Sequence, residues 1–245
     1  MSITKRQEQI LELLGENGFL SVAKIAELTY TSESSIRRDL TALTNQSLVT
    51  RTHGGASAKN DPHRPIPLVN RMTRNISAKK KIAKKASALL SDGISVMLDG
   101  SSTAGFLVPY LAKHKGITLF TNNMNTAISA ISYGIDTVCI GGRAVQNSAV
   151  LSGVEAYESI SKIRADILFF SSQTLSPDGT ISDPIAEENY IRKLMLKHAA
   201  RRVFLCDAEK IGEPSLYTLT NLSETDAAVF DEIPQGFSSL CKKIL

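Results

Sequence analysis

Residues 32–43, SESSIRRDLTAL, decide how the first part of the chain is read. Ser32 is a favoured N-cap, and Ile36, Leu40 and Leu43 recur at helical spacing, so the stretch predicts a helix from about Ser34 to Leu43. With Ile36 and Leu40 turned inward, Ser34, Ser35, Arg37 and Arg38 are left on the outer side. Hydroxyls and guanidinium groups there can reach phosphates or base edges. Read alone, the Arg-Arg-Asp run is equally the pattern of a solvated helix face.

The flanking residues favour the first reading. Upstream, Thr4 with Gln7 forms a capping-box pattern, Ile10, Leu13 and Leu14 make one apolar stripe, and Gly15 and Gly18 bracket the end of that helix. Val22, Ile25, Ala26 and Leu28 mark a second short helix. Downstream, LVTRTHGGA (48–56) is a short extended run closing in a Gly-Gly turn. Three helices with a tight middle turn and a β-ribbon predict a winged helix-turn-helix over residues 3–58, whose second motif helix enters the major groove. Ser32, Ser34, Ser35, Arg37 and Arg38 are its candidate DNA contacts, and Arg51 and His53 in the wing suit the phosphate backbone. Basic and acidic side chains cancel over residues 1–58, so contact with DNA depends on charge gathered on one face. The basic run through Arg64, Arg71, Arg74, Lys79–Lys81, Lys84 and Lys85 can follow phosphates or simply solubilise a helix.

Pro62, Pro65 and Pro67 oppose both helix and central strand, which predicts a linker over 59–75. From residue 76 to 245 apolar strands (ISVML, ITLFT, DTVCI, ADILFF, RVFLC) alternate with amphipathic helices. Those helices are placed at Ala78–Leu90, about Thr103–Ala112 and Glu187–His198. That alternation predicts a Rossmann-like α/β domain, a parallel sheet covered on both faces. Ligands of such sheets collect at the carboxyl ends of the strands. Here LDGSST leads from a strand into a helix, and its small residues aim backbone N–H groups at an anion, phosphate being the natural occupant. A polar strand-to-helix loop also occurs without any ligand.

Composition bounds the alternatives. The 245 residues are 42% hydrophobic and 21% charged, which supports a buried core, and 28 basic against 24 acidic side chains give a net charge of only +4. No apolar run approaches the roughly 18 residues needed to span a bilayer, and MSITKRQEQI has no signal-peptide core, so a cytoplasmic protein with no membrane partner is expected. The three cysteines form no CxxC pair, and Cys139 and Cys206 lie in strand-like runs that predict burial. The histidines have no metal-ligand spacing; no metal and no cofactor are expected.

SxxSIRRDL followed by RxHGGA resembles the DNA-binding domain of the DeoR family of bacterial transcriptional regulators. LDGSST, TNN, IGG, the Ser152-Gly153 pair, PDGTISD, the stretch from Glu188 to Met195 and LCDAEK resemble the family's sensor domain. The likeness covers nearly the whole chain. It implies a sensor fold similar to ribose-5-phosphate isomerase and a phosphorylated sugar, or a related metabolite, as effector. By position it implies an effector loop of Asp99, Ser101, Ser102 and Thr103, supported by Thr121, Asn122, Gly141, Gly142, Glu188, Asp207 and Lys210. The sequence departs from the family pattern at Ser101 (usually glycine), at SSQTL (171–175) and at Arg192 (usually lysine). The expected function is a repressor of a sugar-utilisation operon, holding double-stranded operator DNA as a homodimer or homotetramer and released by the phosphorylated sugar. An activator of the same architecture and a sugar-phosphate isomerase or deaminase are the alternatives. No strand-end residue presents itself as a catalytic base, so the expected chain is not an enzyme.

Overall fold

The computed structural model describes residues 3–46, 48–52, 54–58, 62–63, 65–66, 68–146 and 148–245. In the N-terminal part α1 (Lys5–Asn17) starts at a reciprocal Thr4/Gln7 capping box and stops at Gly18, whose φ of 73° is open to glycine. There follow β1 (Phe19–Ser21), α2 (Val22–Leu28), α3 (Glu33–Asn45), β2 (Val49–Thr52) and β3 (Gly55–Ala58). The three strands form an antiparallel sheet in the order β1-β3-β2. Ile10, Leu14, Ile25, Ile36, Leu40 and Leu43 are fully buried between the helices and this sheet. Strand β1 was not expected: three residues are too few to show alternation. It packs so closely on β3 that a Cβ on Gly55 would lie 2.3 Å from the Leu20 carbonyl oxygen.

The remainder opens with α4 (Leu68–Thr73) and α5 (Ile76–Ala86). Helix α4 lies inside the stretch expected to be an irregular linker, after its last proline, with Leu68 buried. Then come β4 (Ser95–Leu98), α6 (Ser102–Gly105), α7 (Val108–Leu111), β5 (Thr118–Thr121), α8 (Met124–Ser132) and β6 (Asp136–Cys139). Next are β7 (Arg143–Ala144), β8 (Leu151–Ser152), α9 (Val154–Ser161), β9 (Ala165–Phe170), β10 (Thr174–Leu175) and β11 (Thr180–Asp183). The chain continues with α10 (Ala186–Lys197), β12 (Ala199–Cys206), β13 (Tyr217–Asn221) and β14 (Ala227–Phe230).

Six strands form a parallel sheet in the order β14-β12-β9-β4-β5-β6. The chain enters at β4, steps out to β5 and β6, then returns to the other side of β4 through β9, β12 and β14. The winding direction therefore reverses between β4 and β9, and the loops leaving those strands part to open a crevice. Side chains alternate between two cores: Val96, Leu98, Ile167, Phe169, Val203 and Leu205 face one, and Met97, Leu168, Phe170, Phe204 and Cys206 the other. A small antiparallel sheet, β10-β11-β13, and helices α9 and α10 cover the second core. Residues 243–245 pair along β14, with Ala228 donating to the Lys243 carbonyl and Leu245 to that of Ala228.

Two expectations are corrected. The helix read from Thr103 to Ala112 is two single turns, α6 and α7. Pro109 has no N–H to donate to Gly105, and the chain between them makes tight i to i−3 bonds, from Phe106 to Thr103 and from Leu107 to Ala104. Cys206 is buried as expected, but Cys139 is exposed, because β6 is an edge strand whose residues are not covered on both faces.

Candidate functional site

Helix α3 presents the first site. The Ser32 side chain accepts the Ser35 N–H at 3.4 Å and caps the helix. Ile36, Asp39, Leu40 and Leu43 face inward, and Ser34, Arg37 and Arg38 are exposed together, with Ser35 half-buried beside them. Arg37 is held lightly by Glu33 at 2.7 Å, an exposed i,i+4 pair that gives way at little cost. Arg38 reaches the Ser35 hydroxyl at 3.4 Å. From β2, Arg51 Nη1 lies 3.3 Å from the Arg37 carbonyl and 3.5 Å from Thr41 Oγ1, so wing and helix offer their guanidinium groups on one side. His53 lies outside the described residues.

Two features of this domain were not anticipated. Asp39, the acid of the Arg-Arg-Asp run, is turned inward and accepts from Arg6 Nε at 2.5 Å, which ties α3 to α1. Tyr30, in the turn before α3, is 98% exposed with a φ of 50°. Its flank, TYTS, carries no periodicity that would have revealed it.

The second site is the crevice between β4 and β9. A cavity of about 60 Å³, measured as space for the centres of water molecules, lies there and is lined by Ser101, Ser102, Ser171–Gln173, Asp207 and Lys210 from the strand ends. Lys210 is the hinge of this wall: its ammonium donates to Ser171 Oγ at 2.7 Å and Thr103 Oγ1 at 3.2 Å and lies 3.6 Å from Asp207 Oδ2. Ser101 caps α6 by accepting the Ala104 N–H and donates to Asp99 Oδ1 at 2.5 Å. With α6 only one turn long and that N–H already bonded, the helix end offers an anion little. Cationic side chains have to supply the attraction.

The other candidate residues divide. Asp99 is buried and occupied: Oδ1 accepts from Ser101, and Oδ2 from the Ser171 N–H and from Arg192 Nε at 2.8 Å. It organises the loop and does not line the cavity. Arg192 also reaches Asp183 at 2.7 Å and Glu188 at 3.5 Å, all four groups being buried. Burial opposes the Arg192 charge, but Asp183, Asp99 and Glu188 outweigh it and raise its pKa; burial lifts the Asp183 carboxyl to about 6 against the pull of Arg192. Glu188 lies between Arg192 and Arg71 (3.6 Å), and its Oε1 has no hydrogen-bond partner among the described residues. Thr121 and Asn122 are buried one strand away, Thr121 accepting the Asn123 N–H and Asn122 donating to the Leu151 carbonyl. Gly141 and Gly142 follow edge strand β6, at the far side of β5 from the crevice. There a Cβ on Gly142 would lie 2.6 Å from the Ser152 carbonyl oxygen, so that glycine serves a close backbone approach.

Of the residues that sequence reasoning left out of the site, Asp183 and Arg192 line the cavity from within the α/β domain, and the others come from before the sheet. Arg71 and Arg74, at the end of α4, and Asn75 and Lys79, at the start of α5, form the opposite wall of the same cavity. Their signal was present as basic charge, but a charge run reads as a solvated face. No helix among the described residues is long and apolar enough to cross a membrane.

Fold and geometry define a winged helix-turn-helix protein carrying a doubly wound α/β domain with a polar crevice. The chain belongs to the DeoR family of transcriptional regulators: residues 6–61 match the DeoR-like helix-turn-helix domain and residues 74–232 the DeoR C terminal sensor domain. It is 30% identical to the HTH-type transcriptional regulator GolR of Listeria innocua over 93% of this chain and 90% of that protein. It is 27% identical to the lactose phosphotransferase system repressor of Staphylococcus aureus, over 94% of this chain and 93% of that one. Among solved structures it is similar to ribose 5-phosphate isomerase A of Methanocaldococcus jannaschii, with a TM-score of 0.43 and 19% identity over 56% of this chain and 55% of the isomerase.

Proposed function

We propose that this protein represses a sugar-utilisation operon in the cytoplasm and that a phosphorylated sugar bound in the β4/β9 crevice releases it from the operator. The observation that carries the reading is the pairing of an exposed Arg37/Arg38 face on a capped reading helix with a crevice in which Ser101, Ser102 and Lys210 converge. A relative of nearly the same length is named as a repressor of a sugar phosphotransferase system, which supports both the repressor role and the sugar. A binding role, not catalysis, is favoured because Asp99, Asp183 and Glu188 are each held in an ion pair with Arg192. The ligand acts by binding the DNA-incompetent arrangement more tightly, and that difference sets the size of the response.

Assembly as a homodimer or homotetramer completes the reading, because paired reading helices match paired half-sites. The apolar side chains Ile128 (67% exposed), Ile131 (64%) and Val138 (42%) on α8 and β6 support the α/β domain as the surface through which copies meet.

The test is fluorescence anisotropy of the full chain on its own upstream intergenic DNA, titrated with a panel of hexose and pentose phosphates. The expected result is tight binding released by one compound, and at least tenfold weaker binding by Arg37→Ala and by Arg38→Ala with unchanged circular dichroism. Binding indifferent to every compound would remove the effector claim, and unchanged affinity in both variants would remove the reading-helix claim.

A further inference from the structure

The linker arrives at the sensor crevice already engaged with it. Ser102 Oγ donates to the Arg71 carbonyl at 3.3 Å, Asn75 Nδ2 donates to Asp207 Oδ1 at 3.0 Å, and Arg74 lies 3.9 Å from Glu209. Lys79, only 3% exposed, donates its ammonium to the Arg71 and Arg74 carbonyls and has no carboxylate within ion-pair distance among the described residues. Burial pushes that ammonium down to about 8, and Lys210, Arg71 and Arg74 act in the same direction against Asp207. Lys79 shares its wall with Arg71 and Arg74 and faces Lys210, and with Arg192 these cations outnumber the acids Asp183, Asp207 and Glu209 of the same cavity, which suits it to an anion.

The size of the cavity says which part of a ligand fits. At about 60 Å³ of space for water centres, the cavity is of a size for a phosphate group. Beyond it lies a second, open hollow of about 610 Å³ on the same measure, lined by Arg143, Ser152, Gly153 and Tyr157. Arg71 and Ile66 line both, so Arg71 stands between the two spaces.

We propose that the linker supplies half of the ligand site: Arg71, Arg74 and Lys79 grip the phosphate of the ligand opposite Lys210, and the sugar portion displaces Arg71 and with it helix α4. The proposal rests on the sensor reading above and adds to it the route of the signal. Helix α4 is the segment through which the reading domain joins the sensor, and a ligand that moves Arg71 moves that junction. Inorganic phosphate, small enough for this cavity, occupies the grip without shifting the helix.

Two measurements on the full chain test this. Thermal unfolding with inorganic phosphate should show stabilisation of the wild type and at least tenfold weaker phosphate binding in Lys210→Met, Arg71→Gln and Arg74→Gln, with Arg74→Lys restoring much of it. Hydrogen-exchange mass spectrometry should show residues 99–105 protected by phosphate and by the active phosphorylated sugar. Residues 68–79 should exchange faster only with the sugar. If Lys210→Met loses the ligand while both arginine variants bind as wild type, or if exchange over 68–79 is the same with and without sugar, the linker proposal is overturned and the sensor reading stands. If neither phosphate nor any phosphorylated sugar stabilises the wild type, both fall together.

Discussion

Arg192 holds together more of the sensor than any neighbouring side chain. Its planar fork takes Asp99 from the loop after β4, Asp183 from the end of β11 and Glu188 from α10 one turn earlier. A lysine at this place would offer one point charge and could not bond all three in plane. Removing the guanidinium leaves buried carboxylates facing one another without a counter-charge, the costly way to break a buried pair. Arg192→Met should therefore lose about 3–5 kcal/mol of stability in urea denaturation, and Arg192→Lys less. If both variants unfold at the wild-type midpoint, the cluster is not what fixes the crevice.

At the scale of elements, the wing depends on how closely β1 and β3 approach. A methyl group on Gly55 would meet the Leu20 carbonyl and the Phe19 ring, at 2.3 and 2.6 Å. Gly55→Ala should therefore cost about 1–3 kcal/mol, read as a lower thermal midpoint, and weaken operator binding as β2 and Arg51 are pushed out of place. An alanine variant with wild-type stability and affinity would show that the strands part without consequence. These elements also show where pattern was enough. The helices α1 to α3 were legible from apolar residues at helical spacing, and strands β4, β5, β6, β9 and β12 as short apolar runs. Strands β10 (TL), β11 (TISD) and β13 (YTLTN) are rich in Thr, Ser and Asn and give no apolar run, and β13 and β14 pair with distant segments. Helix α4 follows three prolines that mask it. Of the site, Ser101, Ser102, Asp207 and Lys210 were visible because the strand-end rule points to them. Asp99 and Glu188, marked for the ligand, are also tied to Arg192, a buried charge cluster that only three-dimensional proximity reveals. The linker cations escaped because their role needs a fold that brings residue 74 to residue 210.

On the scale of the whole molecule, the α/β domain has two unlike flanks. On the β6 side, α8 and the strand expose Ile128, Ile131, Tyr133 and Val138. An Ile128→Asp/Ile131→Asp double variant should sediment as a smaller species than the wild type and bind a two-half-site operator at least tenfold more weakly, each chain then paying separately for its own contact. Equal sedimentation of the two proteins would place the contact between copies elsewhere. On the β14 side the last residues of the chain run along the strand, and Lys85 donates to the Phe230 carbonyl at its end. The unpaired backbone groups that would invite a further strand are thus occupied on that flank. A sheet sealed along one border and bare along the other accepts one neighbour and no more. Were copies to meet edge to edge through β6, the two strands would pair and leave no border for a third, giving a two-fold pair and not a ribbon.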